Sequence, residues 1–469
     1  MKKVLVSLLL VIVLVFNTLA LTGCADLLGG LLGGGNNDGK VTITFSHTMG
    51  ENLRTVLDEY IAEFNKLYPN ITVEHSQIGS YDDVRDQIKN ELTSGMQPNI
   101  AYCYPDHVAL YNEAMAVLTL DSFIESTKVI ERADGTTEIL GLTAEQIADF
   151  IPAYYAEGRE FGDGEMYTMP FSKSTEVLYY NKTFFDQHGL KVPTTWDELE
   201  AVCAQIKAID PKSIPLGYDS ESNWFITMTE QLGTPYTTAE GDDHFLFNTE
   251  ENRAFCAEFR EWYLKGYVTT QEILGSYTSS LFTSKETTKS YMSIGSSAGA
   301  THQRPTKGDD GQYPFEVGIA PIPQADPSNP KVISQGPSVC IFDGHSAAEE
   351  EASWLFVKFL CTSVEFQADF SMASGYVPVI KSVANDPEYA KFLAKANGGD
   401  YIAALSAKVC LEQADAYYVS PAFNGSSDAR DQVGILLQAC LLVKADVANP
   451  EEEIKKLFEA AVRECEYKQ

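Results

Sequence analysis

The chain has 469 residues, which is more than one ordinary hydrophobic core accommodates, so we expect two lobes. Hydrophobic residues make up 44% and aromatic residues 11% of the chain, which is typical of a folded globular protein. The 34 basic and 66 acidic residues give a formal net charge of −32. This charge argues against non-specific nucleic-acid binding, because phosphate contacts need a basic surface.

The N-terminus carries the pattern of a secretory signal. A basic start precedes an apolar run over residues 4–16, and Leu21-Thr22-Gly23-Cys24 follows. A retained membrane-spanning segment is the alternative. The cysteine favours the signal, because Leu-Thr-Gly-Cys resembles the lipobox of bacterial lipoproteins, whose thiol is acylated. We predict a signal peptide over residues 1–23, lipid attachment at Cys24 on the extracellular face of the cell membrane, and a flexible tether over 24–40.

Eight further cysteines follow Cys24, and none of them belongs to a C-x-x-C pair. A zinc ribbon and a thioredoxin-like motif are therefore not indicated. Most of these cysteines stand in apolar runs, such as Ser338-Val339-Cys340-Ile341-Phe342, where a thiol usually behaves as a small buried hydrophobe. We predict mostly free thiols and assign no pairs. The sequence indicates no cofactor and no metal site.

The first part of the chain alternates predicted strands and helices. Residues 41–45, 71–74 and 99–103 read as strands, separated by helices with apolar residues at helical spacing. A βαβαβ run implies parallel strands with right-handed crossovers. Ligands bind at the carboxyl ends of such strands, where Tyr104-Pro105-Asp106-His107 stands here.

The central stretch, residues 169–182, is predicted to carry the chain from one lobe into the other. It would place Ser172, Lys173 and Ser174 at the seam, where clefts form. The chain then continues with further strands and helices to a C-terminal helix. We predict lobe 1 over residues 41–150 with about 310–345 returning to it, lobe 2 over 151–309 with about 346–445 returning to it, and a C-terminal helix over 446–469.

Several stretches together resemble the family 1 extracellular solute-binding proteins of bacterial ABC importers. The stretches that carry the resemblance are 64–71, 170–182, 193–199, 318–323, 352–359 and 375–378. The resemblance implies an α/β, periplasmic-binding-protein-like fold of type II, with two lobes, a hinge and an interlobe cleft. It also implies a monomer that traps a small-molecule solute by lobe closure and delivers it to the membrane permease.

Within this family the chain is similar to the glycerol-3-phosphate-binding branch. The positions that match its contact stretches are His47, Tyr81, Asp106, Ser174, Trp224, Ser296, Ser297, Gly336 and Tyr376. Asp106 would accept hydrogen bonds from solute hydroxyls, and Trp224 and Tyr376 would stack on their C–H faces. From the residues alone, Asp106 could instead cap a helix and Trp224 could belong to the core.

One departure from that branch concerns its arginine. The corresponding region reads Pro421-Ala422-Phe423-Asn424-Gly425, and Arg430 comes only further on, as a less favoured contact. Loss of a bidentate phosphate partner favours a neutral carbohydrate as the solute, with glycerol 3-phosphate or a glycerophosphodiester as the alternative.

A secreted serine hydrolase is a remote alternative. Gly295-Ser296-Ser297-Ala298-Gly299 matches the G-x-S-x-G pattern of a nucleophile elbow, with Ser297 as the nucleophile. An elbow needs an apolar helix directly after it, whereas residues 301–305 are polar and end at a proline. We therefore predict that the protein is not an enzyme.

Overall fold

The computed structural model describes residues 39–286, 288–398 and 401–468. The predicted signal peptide, the acylation site Cys24 and the tether up to residue 38 lie outside the described residues. Among the described helices, none is both long and apolar enough to cross a membrane.

The strands alternate with helices through most of the chain. The strands are β1 (Val41–His47), β2 (Ile71–Gln77), β3 (Ile100–Cys103), β4 (Val129–Glu131), β5 (Thr137–Ile139), β6 (Met169–Pro170), β7 (Ser174–Asn181), β8 (Leu216–Tyr218), β9 (Val268–Thr270), β10 (Met292–Ser296), β11 (Val317–Pro321), β12 (Val332–Gln335), β13 (Ser338–Ile341) and β14 (Tyr417–Tyr418). The helices are α1 (Glu51–Leu67), α2 (Tyr81–Leu92), α3 (Pro105–Asn112), α4 (Asp121–Ile124), α5 (Ala144–Asp149), α6 (Pro152–Ala156), α7 (Lys182–His188), α8 (Trp196–Ile209), α9 (Glu221–Leu232), α10 (Glu250–Leu264), α11 (Gln271–Leu274), α12 (Ser279–Phe282), α13 (Ala347–Thr362), α14 (Val364–Ser374), α15 (Pro387–Ala394), α16 (Ile402–Glu412), α17 (Ser426–Leu441) and α18 (Pro450–Lys468).

Two main sheets organise the described part of the chain. The first has the strand order β2-β1-β3-β13-β6, and β1 pairs in parallel with both β2 and β3, as the βαβαβ pattern predicts. The second has the order β14-β12-β7-β10-β8-β9, with β11 also paired to β7. We call the part built on the first sheet lobe 1 and the part built on the second sheet lobe 2. The carboxyl ends of β2, β3 and β8 carry the loops that form the site described below.

Strand pairing differs from the predicted lobe boundaries. β6 belongs to the first sheet and β7 to the second, so the chain crosses between lobes at 171–173 rather than at 150. In the segment predicted to return to lobe 1, β11 and β12 join the second sheet and only β13 joins the first. These strands are short apolar runs, and such a run does not reveal which sheet it will join.

The segment predicted to return to lobe 2 is divided in the same way. Helices α13 and α14 pack on α1, and α13 also packs on β1, so both belong to lobe 1. In this layer Phe356 packs edge-on against Phe45 and Phe64. Helix α17 packs on α9 and α10 in lobe 2, and α18 covers α17 at the C-terminus.

The cysteines of the described residues are all buried with free thiols. They stand in the cores of both lobes, such as Cys361 on α13 and Cys440 on α17. The prediction of mostly free, buried thiols is confirmed for these eight positions.

Candidate functional site

A cleft of about 680 Å³ lies between the two lobes, within the usual range for small-molecule sites. Lobe 1 lines it with loop and helix-start residues that follow β2 and β3, and lobe 2 lines it from the facing edge of its sheet. The lobe 1 residues include Ser80, Tyr81, Asp82, Tyr104 and Asp106, and the lobe 2 residues include Glu176, Asp219, Asn223, Ser296, Gln335 and Arg430.

Asp106 lies at the start of α3, directly after the carboxyl end of β3. Pro105 is the first residue of that helix and Tyr104 is its N-cap, so Asp106 does not cap it. The Asp106 carboxylate forms no hydrogen bond or ion pair with any described residue, and it faces the cleft. It is therefore available to accept hydrogen bonds from a bound molecule.

An aromatic wall on the lobe 1 side is formed by Tyr81, Tyr104 and Tyr376. Tyr81 is the first residue of α2, whose N-cap Ser80 closes a capping box with Asp83. The rings of Tyr81 and Tyr104 have centroids 4.6 Å apart, and the Tyr81 hydroxyl lies 3.2 Å from that of Tyr376. Burial raises the pKa of the Tyr81 phenol well above its usual value, so this wall stays uncharged. Neutral aromatic faces suit the C–H surface of a sugar ring.

A hydrogen-bond network on the lobe 2 side is centred on Glu176, which lies on β7. Its carboxyl group accepts from the Tyr218 hydroxyl at 2.6 Å and from the Asn223 amide nitrogen at 3.0 Å. Burial raises the pKa of Glu176 to about 7. The Asn223 oxygen in turn accepts from Gln335 at 3.1 Å and from the Arg430 guanidinium. The network holds Arg430 in place at the cleft.

Arg430 lies on the first part of α17, whose N-terminal end faces the cleft. The described residues include no carboxylate within ion-pair distance of its guanidinium, which is a charge-bearing group able to donate several hydrogen bonds. The sequence stage placed this arginine further along the chain than the corresponding residue of the branch. The helix that begins at Ser426 brings it back to the cleft.

Asp219 lies at the carboxyl end of β8 and forms the floor of the cleft in lobe 2. One of its carboxylate oxygens accepts from the Thr278 amide and hydroxyl, each at 2.7 Å. Burial raises the pKa of Asp219. Its other oxygen, Oδ2, has no printed hydrogen bond and would collide with a side chain at Gly295, which is why the strand there carries a glycine.

The structure brings together six of the sequence-predicted positions. Tyr81, Asp106, Ser296 and Arg430 line the cleft, and Tyr376 contacts Tyr81. Gly336 lines a smaller cavity that adjoins the cleft. Whether these residues contact a solute stays a prediction.

Trp224 is not brought to the cleft. Its side chain is 0% exposed and stacks on Tyr218, with ring centroids 4.8 Å apart, and lies 4.1 Å from the Phe259 ring. Helix α9 turns Asn223 toward the cleft and Trp224 toward the sheet, because adjacent helical residues point in different directions. The indole therefore packs in the lobe 2 core and offers no exposed platform in this structure.

His47, Ser174 and Ser297 are also buried away from the cleft lining. His47 lies at the end of β1, with one ring nitrogen 2.8 Å from that of His75, and burial lowers its pKa to about 3. Ser174 begins β7, where it pairs with Gln335 on β12. The Ser297 hydroxyl accepts from the Thr175 amide at 3.2 Å. Each of these polar groups has a structural environment that accounts for its position.

Several cleft residues were missed at the sequence level. They are Tyr104, Glu176, Asp219, Asn223 and Gln335. Tyr104 directly precedes the predicted contact Asp106 in the loop after β3, so its position was indicated. Glu176 lies inside the central stretch but reads as one polar residue of a strand, and nothing in its spacing shows that it faces a cleft.

Within the described residues, no cluster of three or more His, Cys, Asp or Glu side chains is arranged to hold a metal ion. The chemistry of the cleft is therefore that of its own hydrogen-bonding and aromatic groups.

The comparison with protein families decides what kind of cleft this is. A family model for bacterial extracellular solute-binding proteins matches residues 59–396, which is more than half of the chain. The chain belongs to that family. The predicted family is thereby confirmed, and the cleft between the lobes is the place where a solute-binding protein would hold its solute.

Named relatives lie in two groups. The sn-glycerol-3-phosphate-binding periplasmic protein UgpB of Escherichia coli (strain K12) is 24% identical over 380 residues, covering 78% of this chain and 80% of that protein. The cyclic alpha-maltosyl-1,6-maltose binding protein of Arthrobacter globiformis has a TM-score of 0.67 at 20% identity, covering 90% of this chain and 99% of that one. UgpB of Mycobacterium tuberculosis, solved with glycerophosphocholine, has a TM-score of 0.69 at 18% identity, with coverage of 90% and 99%. These solved structures confirm the predicted two-lobed α/β fold of type II periplasmic binding proteins.

Proposed function

We propose that this solute-binding protein is the receptor of an ABC importer and that its solute is a neutral carbohydrate. The protein holds the sugar between its lobes and delivers it unchanged to the membrane permease. The observation that carries this proposal is the cleft itself, since hydrogen-bonding side chains of both lobes line one space large enough for a sugar.

The charges of the cleft favour a neutral solute. Its lining includes five carboxyl side chains, Asp82, Asp106, Glu176, Asp219 and Asp431, against one arginine. Carboxylates accept hydrogen bonds from sugar hydroxyls, whereas they repel a phosphate dianion. The tyrosine wall supplies the apolar faces that a sugar ring also needs.

No chemical reaction is needed for this function. The Ser297 hydroxyl is 0% exposed and bonded to the backbone of β7, and no described histidine is in hydrogen-bond contact with it. This environment does not support the nucleophile of a hydrolase.

Attachment to the membrane through Cys24 belongs to the same proposal. It rests on the sequence pattern, because Cys24 lies outside the described residues. Labelled palmitate supplied to cells that produce the protein is expected to label the parent chain and not Cys24→Ser. Equal labelling of both chains would refute the anchor.

A glycerophosphate or glycerophosphodiester is the second candidate solute. The specific observation in its favour is Arg430, which faces the cleft without an ion-paired carboxylate among the described residues. A guanidinium in that state can bind a phosphate oxygen. The name of the E. coli relative points the same way.

Titration calorimetry distinguishes the two candidates. Maltose, cellobiose and glucose are compared with glycerol 3-phosphate and glycerophosphocholine, and Asp186→Asn, a change at an exposed aspartate, serves as the control for Asp106→Asn. We expect micromolar binding of at least one sugar, which corresponds to about −8 kcal/mol, and its loss in Asp106→Asn only. Binding of the phosphorylated compounds alone would reverse the ranking, and slow turnover of any sugar would refute the non-enzymatic function.

A further inference from the structure

The small cavity that adjoins the cleft has a volume of about 70 Å³. It shares Tyr104, Asp106, Gln335 and Arg430 with the lining of the cleft, so the two spaces are continuous. At about 15 Å³ for each water, the cavity has room for about five water molecules. That is enough for one substituent of a sugar and too little for a whole ring with its hydroxyl groups.

Three buried hydroxyl groups line this small cavity and form no hydrogen bond with any described residue. They belong to Thr237, Ser334 and Ser420. Buried polar groups are nearly always paired in folded proteins, so three unpaired hydroxyls in one small space are unusual. They are positioned to bind a polar group that enters from the cleft.

The remaining lining shows which kind of group fits. Ile226, Ile333 and Val419 give the cavity apolar walls that suit C–H groups. Its charged lining residues are Asp106, Arg430 and Glu157, and the Glu157 carboxylate is already bonded to the Lys173 ammonium. Two carboxylates against one guanidinium disfavour an anionic group. A small, uncharged group that carries a hydroxyl on an apolar stem matches both the walls and the hydroxyls.

We propose that this cavity is a subsite for the hydroxymethyl group of a hexose, and that it makes the protein select hexose units over pentose units. The inference rests on the proposed carbohydrate function and specifies it. The hydroxymethyl oxygen would pair with the hydroxyls of Thr237, Ser334 and Ser420, and its carbon would lie against the isoleucines. A pentose in the same place would leave those hydroxyls unpaired, which is the situation that gives strong discrimination.

The test uses sugars that differ only in this group. Calorimetric affinities of the chain are measured for glucose against xylose and for cellobiose against xylobiose. We expect at least about a tenfold preference for the hexose member of each pair. In the Thr237→Val/Ser420→Ala variant the preference should fall below about threefold, with the affinity for xylobiose unchanged.

The matched control is Thr168→Val, because Thr168 also carries a buried hydroxyl without a partner among the described residues but lines neither space. It should keep the full preference. Ser334→Ala provides a second variant if the double variant unfolds, and thermal melts show whether each variant is folded.

The outcomes separate the two claims. Sugars that bind without a hexose preference, or a preference that survives in both cavity variants, would overturn the subsite and leave the proposed function standing. If none of the four sugars binds, the carbohydrate function fails and the subsite fails with it. Inorganic phosphate should not compete with glucose, and competition that disappears in the double variant would assign the cavity to an anion instead.

Discussion

The carboxyl group of Glu176 gives the protein a specific dependence on pH. Burial raises its pKa from 4.5 to about 7, so the folded protein holds this proton where the unfolded chain has lost it. The folded state thus binds more protons between these values, and this group's contribution to the free energy of unfolding falls as the pH rises from about 4.5 to about 7. At about 1.4 kcal/mol for each pH unit, the contribution lost is about 3 kcal/mol.

Glu176→Gln should remove this contribution. Urea unfolding at pH 4 and pH 8 is expected to show the variant gaining about 3 kcal/mol relative to the parent at the higher pH. Glu59→Gln, at an exposed position, is the control and should follow the parent at both values. Parallel pH profiles for the parent and Glu176→Gln would contradict the assignment.

Gly336 is a second residue with a defined conformational requirement. Its φ is +89°, and a Cβ there would lie 2.6 Å from the Ser172 carbonyl oxygen. Gly336→Ala should lower the free energy of unfolding by at least about 2 kcal/mol, because positive φ and a backbone collision both oppose it. Gly275→Ala is the matched control, since Gly275 has φ +73° and open space around it, and it should cost only about 1 kcal/mol. Equal losses in chemical denaturation would show that the collision is relieved.

At the scale of elements, a buried ion pair joins the segments that cross between the lobes. Lys173 is 0% exposed and its ammonium is bonded to Glu157, with the Ser338 hydroxyl at 3.1 Å and the Gly336 carbonyl at 3.4 Å. The backbone of Lys173 also pairs with that of Val377. Three crossing segments are therefore tied together at one side chain.

Lys173→Met should leave Glu157 buried without a partner and destabilise the protein by about 3–5 kcal/mol. The double variant Lys173→Met/Glu157→Leu should recover most of that loss, because no uncompensated charge remains. Lys391→Met, which removes the exposed pair with Glu388, is the control and should change stability by less than about 1 kcal/mol. Failure of the double variant to recover would place the role of Lys173 in its hydrogen bonds instead.

The elements also show why the sequence predicted part of the site. The first three strands and their helices have clear periodicity, so the loops that carry Tyr81 and Asp106 could be placed at the carboxyl ends of parallel strands. Glu176 and Asn223 meet across two distant segments, and local periodicity contains no information on that meeting. Trp224 shows the opposite failure, because resemblance suggested a contact while the helix face directs its ring into the core.

At the scale of the whole molecule, the two lobes share one cleft and each supplies charged or polar groups to it. A solute can favour the closed arrangement only by contacts that it gains from both lobes together. Asp106 represents lobe 1 and Arg430 represents lobe 2 in this arrangement. Neither residue forms an ion pair with the described residues, so replacing either one should alter binding more than stability.

The most direct test of the shared cleft is calorimetric titration of one bound sugar into the parent chain, Asp106→Asn and Arg430→Met. We predict that each substitution weakens binding at least about tenfold, since each removes a charge-assisted hydrogen bond to the solute, while the melting temperatures stay close to that of the parent. Unchanged affinity in either variant, with the protein folded, would contradict the claim that both lobes hold the solute.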